Sequence, residues 1–163
     1  MSEAKLTNFL VENLRKGGAK KLAGLHSSQN IQLHREIGNS AFITDICISI
    51  NADKENNFDN RKIKFIAIEV KISDWENGLY QAWRYNNFAE KSFLAIYRPY
   101  SGKVNVNEFV NNNVGLIIFD ESGFDIIHQP KTNRFRQNTY EAGVREKIWS
   151  NCLSNAQSVC PAC

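Results

Sequence analysis

The stretch Ile66–Phe88, "IAIEVKISDWENGLYQAWRYNNF", decides how the rest of the chain is read. Its first seven residues have the apolar, β-branched character of a strand, yet they carry Glu69 and Lys71. Side chains alternate across a strand, so Glu69 and Lys71 point one way. Ile68, Val70 and Ile72 point the other way, into a helix layer. An unpaired charge among apolar neighbours costs several kcal/mol, so these two need partners or a task. The second half of the stretch reads as a helix over about residues 74–90. Ser73 followed by Glu76 forms a capping-box pattern, and Asp74 adds negative charge at the positive end of the helix dipole. Gln81 and Tyr85 stand four residues apart and share one helix face.

Upstream lies "AFITDICISI", Ala41–Ile50, rich in β-branched and aromatic residues, with Asp45 its sole charge. The polar "NADKENNFDN" separates it from "RKIKFIAIEVKI", Arg61–Ile72, so the two strands read as a hairpin that sets Asp45 beside Glu69. Neighbouring carboxylates repel unless a cation sits between them. Mg²⁺ (or Mn²⁺) suits such a pair: a hard ion that takes one or two carboxylates, several waters and substrate phosphate oxygens. Lys71, two residues on, is placed to hold or deprotonate an attacking water and to steady phosphate charge. A lone E-x-K triplet is common by chance and reads as a buried ion pair. Here an Asp-bearing strand precedes it and a capped helix follows it.

The pattern Asp45, then Glu69-Val70-Lys71, then Gln81-Ala82-Trp83-Arg84-Tyr85 resembles the D…E-x-K…Q-x-x-x-Y signature of the PD-(D/E)XK nuclease superfamily, in its RecB-like branch. The resemblance covers about Glu36 to Phe119, because "VGLIIFD" also resembles the late core strand of that fold. It implies a restriction-endonuclease-like α/β domain, with a mixed sheet flanked by helices. It further implies Mg²⁺-dependent hydrolysis of phosphodiester bonds in DNA. By the resemblance Asp45 and Glu69 bind metal, Lys71 is the catalytic lysine, and Gln81 and Tyr85 position the site or contact DNA. Relatives often supply one more acid. Glu36, in "REIG" at the end of the first strand, is favoured for this role, and Glu3 on the first helix is its rival. Thr44 stands where many relatives have proline. Small nucleases of this fold often act as homodimers. The alternative, from another class, is a nucleic-acid-binding or assembly module that keeps the fold without turnover.

Working outward, Leu6, Phe9, Leu10 and Leu14 recur at helical spacing, which predicts an amphipathic helix over 3–16 that ends before Gly17-Gly18. "IQLHREI" alternates as a short strand, with Ile31, Leu33, Arg35 and Ile37 on one side. "SFLAIYRP" reads as a strand, "VNEFVNN" as a short helix, "VGLIIFD" as a buried strand and "GFDIIHQ" as an edge strand. Residues 139–155 read as a last helix with Tyr140, Val144, Ile148 and Leu153 on one side. The order α-β-β-β-α-β-α-β-β-α predicts one α/β domain over residues 1–155, followed by a flexible tail over 156–163.

Of the 163 residues, 42% are apolar and 23% charged, which suits a globular domain. The net charge of +3 permits nucleic-acid binding without arguing for it. "KTNRFR" concentrates Lys131, Arg134 and Arg136 with no acid, and is the candidate contact to nucleic-acid phosphates. No apolar run reaches the roughly 18 residues of a membrane span. "MSEAKLTNFLVENLRK" mixes charges among its apolar residues, unlike a signal peptide. These features place the protein in the cytoplasm with its four cysteines reduced. Cys152, Cys160 and Cys163 have the spacing C-x7-C-x2-C, but no fourth zinc ligand is evident nearby. Trp75, Trp83 and Trp149 read as core or interface residues, with Trp83 beside the proposed site face.

Overall fold

Short runs of β-branched and aromatic residues bounded by Gly, Asn and Asp form six strands. They are β1 (Asn30–Gly38), β2 (Ile43–Asn51), β3 (Ile63–Lys71), β4 (Lys91–Tyr97), β5 (Gly115–Asp120) and β6 (Gly123–His128). The computed structural model describes residues 1–24, 30–51, 58–136 and 139–154. The strands form one sheet in chain order, β1-β2-β3-β4-β5-β6. β1, β2 and β3 pair antiparallel, β3, β4 and β5 pair parallel, and β6 returns antiparallel at the edge. A parallel step needs a crossover. Helix α3 (Trp75–Arg84) carries β3 to β4, and α4 (Val106–Asn112) carries β4 to β5.

Helices cover both faces of the sheet. Leu6, Leu10, Leu14 and Leu22 of α1 (Glu3–Asn13), its following turn and α2 (Ala19–Ala23) pack on Ile46, Ile48, Ile68 and Val70. On the other face, Phe65, Ala67 and Leu94 meet Leu79 and Ala82 of α3, Phe109 of α4, and Ile148 and Trp149 of α5 (Tyr140–Ser154). Each such fully buried aliphatic or aromatic side chain contributes about 1.5–3 kcal/mol. Burial on both faces explains why the central strands read as nearly unbroken apolar runs. The protein is a single-domain α/β fold with a six-stranded mixed sheet flanked by helices. No described helix is long and apolar enough to cross a membrane.

Several local expectations need correction. The first helix stops at Asn13, and Leu14–Gly18 form a wide turn with Gly17 at φ 105°, a conformation open to glycine. Residues 19–30 read as a loop or a short helix, and Ala19–Ala23 take the short helix α2. The cap of α3 is Asp74, which accepts from Asn77 N, so the Ser73 box does not form. Either residue type can cap, and the helix begins one residue later than the box requires. α3 gives way to a 3-10 turn over Tyr85–Asn87 and does not run to residue 90. Asn86 and Asn87 turn their amides onto the carbonyls of Asn112, Asn113 and Arg84, competing with the helix for backbone partners. In β1, Glu36 adopts φ 54° and reverses the alternation, so Ile37 joins the core under α5. On α5 the buried residues are Arg145, Ile148, Trp149 and Cys152, while Tyr140 is exposed. The polar "NADKENNFDN" turn lies largely outside the described residues, as does the proposed tail.

Candidate active site

The β2–β3 ladder runs from Asn51↔Ile63 to Ile46↔Ile68. One more step would set Asp45 opposite Glu69, and there the strands part. The Asp45 carboxylate replaces the ladder carbonyl: its Oδ2 accepts from Val70 N at 2.8 Å. On the same face of β3, Glu69 is 3% exposed. Its Oε1 meets Lys71 Nζ at 2.9 Å, and its Oε2 accepts from the Tyr85 hydroxyl at 2.5 Å. The Tyr85 oxygen also lies 3.0 Å from Ile43 O. A hydroxyl has a single proton, so an ionised Glu69 competes with that carbonyl for it.

Charge accounts for the protonation tendencies. Burial raises the Asp45 pKa, with Glu3 and Glu36 adding to the rise, against the Val70 N–H and Lys71. Burial and the Asp45 charge raise that of Glu69, against its bonds from Tyr85 and Lys71. Burial opposes the Lys71 ammonium, but the bond and charge of Glu69, with Glu3 and Asp45 beyond, win and raise its pKa. Burial and Glu69 push the Tyr85 phenol far above its usual range, so it remains a donor. Lys71 is therefore a held positive charge here and not a ready base.

Gln81 sits one turn before Tyr85 on α3, and its Oε1 is buried with no hydrogen-bond partner among the described residues. Glu3 and Glu36 are both exposed and both within electrostatic reach of Asp45. The fold thus brings both candidates for the extra acid into the neighbourhood of Asp45. Gly78 was missed by sequence reasoning. A Cβ there would lie 2.8 Å from Lys71 Cγ and 2.6 Å from Leu94 Cδ1, so glycine lets α3 approach this closely without displacing either side chain. A glycine within the helical pattern was the signal that could have revealed it. Trp83 is exposed and stacks on Tyr80, away from the flank that holds Gln81 and Tyr85. Lys131, Arg134 and Arg136 lie near the start of β4, where Asn133 N donates to Glu90 O, and so toward the far end of β3 from Lys71. Cys152 is buried, whereas Cys160 and Cys163, and with them the zinc question, lie outside the described residues.

The donor set suits a hard cation that keeps most of its own water. Two carboxylates raise each other's cost of ionisation, and carboxylate oxygens have lone pairs beyond those already used. Among the described residues no group of three or more His, Cys, Asp or Glu forms a protein cage for a metal. Asp45 and Glu69 are the residues that would hold the ion.

Fold and site define an α/β protein with a paired-carboxylate and lysine cluster where two antiparallel strands separate. No protein-family model matches the chain, and no curated protein does. Among solved structures it is similar to the SPO1766 protein of unknown function from Silicibacter pomeroyi, at 14% identity and a TM-score of 0.54. That match covers 94% of this chain and 88% of the other, and it shows a shared fold.

Proposed function

We propose that this protein is a metal-dependent nuclease that hydrolyses phosphodiester bonds in DNA, with the restriction-endonuclease-like architecture that its signature resembles. One observation carries the reading. Asp45 and Glu69 come together where β2 and β3 part, with Lys71 on Glu69 Oε1 at 2.9 Å. Further support comes from topology, since an antiparallel β1-β2-β3 unit leads through α3 into a parallel β3-β4-β5 unit.

Bound Mg²⁺ or Mn²⁺ would supply charge for the phosphate and lower the pKa of an attacking water. Asp45 and Glu69 would hold it, and ion binding would relieve their mutual repulsion. Lys71 presents a positive charge to the phosphate, where negative charge grows in the transition state. Tyr85 fixes the Glu69 carboxylate. Gln81 offers a buried amide oxygen and its amide donor to water or substrate on the same helix face. The second reading, a nucleic-acid-binding module without turnover, is favoured by one feature: Lys71 and Tyr85 already engage both oxygens of Glu69.

Lys71→Ala separates the two. In the nuclease, loss of one transition-state charge contact costs about 3–4 kcal/mol, a drop of two to three orders of magnitude in rate. DNA binding in Ca²⁺ weakens far less, and the fold persists. Cleavage of linear, circular and branched DNA in Mg²⁺ is the readout. A wild type that cuts none of these, beside a Lys71→Ala protein that melts early, assigns the lysine to structure alone.

A further inference from the structure

Residues 131–136 have no regular secondary structure, yet this strap is pinned throughout. Lys131 N donates to Asn113 Oδ1, and Asn113 Nδ2 donates back to Lys131 O. Asn133 N donates to Glu90 O, and its side chain donates to Asn86 Oδ1 and Ala89 O. Phe135 lies 4.4 Å under the guanidinium of the fully buried Arg145. Arg136 O accepts from Asn60 and Thr139. With Asn133 and Phe135 turned inward, Arg134 and Arg136 stand outward and exposed. Neither guanidinium has an acceptor among the described residues.

Both arginines line a pocket of about 370 Å³ together with Asn87, Thr139 and Glu141. Two guanidiniums outweigh the one carboxylate, and the amide and hydroxyl add neutral donors. A pinned segment loses little conformational freedom when it binds a ligand. Planar guanidinium donors match phosphate oxygens. Asn87 follows Tyr85 by two residues, so the pocket and the Glu69 site are linked through the 3-10 turn after α3.

Phe65 N donates to the Glu90 carboxylate, beside the strap, and Glu69 lies four residues along the same strand. We propose that this pocket holds a backbone phosphate of the nucleic-acid substrate whose scissile bond is positioned at Glu69. The placing of that bond rests on the reading of the Glu69 site as a phosphodiesterase, while the binding of a phosphate backbone does not. Lys131 lies beside Asn113, outside the pocket lining, and contributes less than the two arginines.

The test is fluorescence anisotropy of a labelled 20-nucleotide DNA, single-stranded and duplex, in Ca²⁺ across a salt series. Arg134→Ala/Arg136→Ala should reduce the slope of log affinity against log salt by about two, since each phosphate contact releases roughly one counterion. Lys131→Ala should change it by less than one. Glu141→Gln should tighten binding, because it removes the one repelling charge in the pocket. All three proteins should melt within about two degrees of wild type, because these side chains are exposed. A wild type that binds no DNA overturns the proposal. So does an unchanged slope in the double variant, or a Glu141→Gln that weakens binding. A reduced slope in a protein that cuts no substrate keeps the pocket and removes the nuclease reading.

Discussion

Asp45 and Glu69 each sit where burial raises their pKa, and this sets a testable pH dependence. For a carboxyl whose folded pKa is raised, its share of stability is complete below the unfolded value of about 4. That share is lost as pH rises through the folded pKa. At pH 8 the ionised Asp45 therefore costs stability. Asp45→Asn removes the charge and keeps an oxygen to accept from Val70 N. It should match wild type in thermal melts at pH 4 and melt higher at pH 8. Mg²⁺ should raise the melting temperature of wild type at pH 8 and leave that of Asp45→Asn unmoved. A variant that melts lower at pH 8 shows the carboxylate to be structural. Tyr85→Phe acts in the opposite direction. It strips a donor from buried Glu69, costing about 1–3 kcal/mol in denaturant titrations at pH 8 and less in acid, where Glu69 is protonated.

α3 is the element that closes the site, and its start and its contact with the sheet each depend on a particular residue. Asp74→Ala should cost about 0.5–2 kcal/mol through loss of the cap on Asn77 N, whereas Ser73→Ala should be close to neutral. The sequence box suggests the reverse ranking, so urea titration of the two variants distinguishes cap from box. Gly78→Ala sets a methyl against Lys71 and Leu94. Overpacking of this kind costs about 1–3 kcal/mol. It also moves Lys71, so cleavage should fall by more than the stability loss explains, while Mg²⁺ affinity measured by calorimetry is largely kept. Equal losses in rate and in metal affinity contradict that division of roles.

Across the whole molecule, one buried arginine ties the last helix to the sheet. Arg145 is fully buried between β3, the residues just ahead of β4 and the strap. It pairs with both oxygens of Glu90, at 2.7 and 3.0 Å, and donates to Phe88 O, Ile63 O and Asn60 Oδ1. Phe65 and Phe135 stack on it. Removing one member of a buried pair leaves the other charge uncompensated, so Arg145→Ala should lose about 3–5 kcal/mol. Adding Glu90→Gln should recover part of that loss, and urea denaturation of the single and double variants measures it. Because Phe135 rests on Arg145, the same variant should also loosen the strap and weaken DNA binding. Unchanged binding in the folded Arg145→Ala protein separates the strap's order from the arginine.

Local pattern alone determined the order and type of most elements here. Strand runs such as "FITDICISI" and "FIAIEVKI" and the α3 periodicity are short-range signals, and alternation put Glu69 and Lys71 on one face. The hairpin that sets Asp45 by Glu69 was legible because its strands are neighbours in sequence. The rest depended on partners distant in the chain. Arg145 lies on a helix whose apolar pattern pointed to Tyr140 and Val144, and nothing local reveals that Glu90, Phe65 and Phe88 will surround it. Gly78 reads as a weak helix position until the sheet beneath α3 shows what its missing Cβ makes room for. Glu36 reads as one more alternating strand residue, and only the assembled sheet turns it to a positive φ between the pairs Arg35↔Ile46 and Ile37↔Thr44. Periodicity is a property of neighbouring residues, whereas the pairing of a buried charge and the closeness of two layers are set by side chains that meet only when the chain has folded.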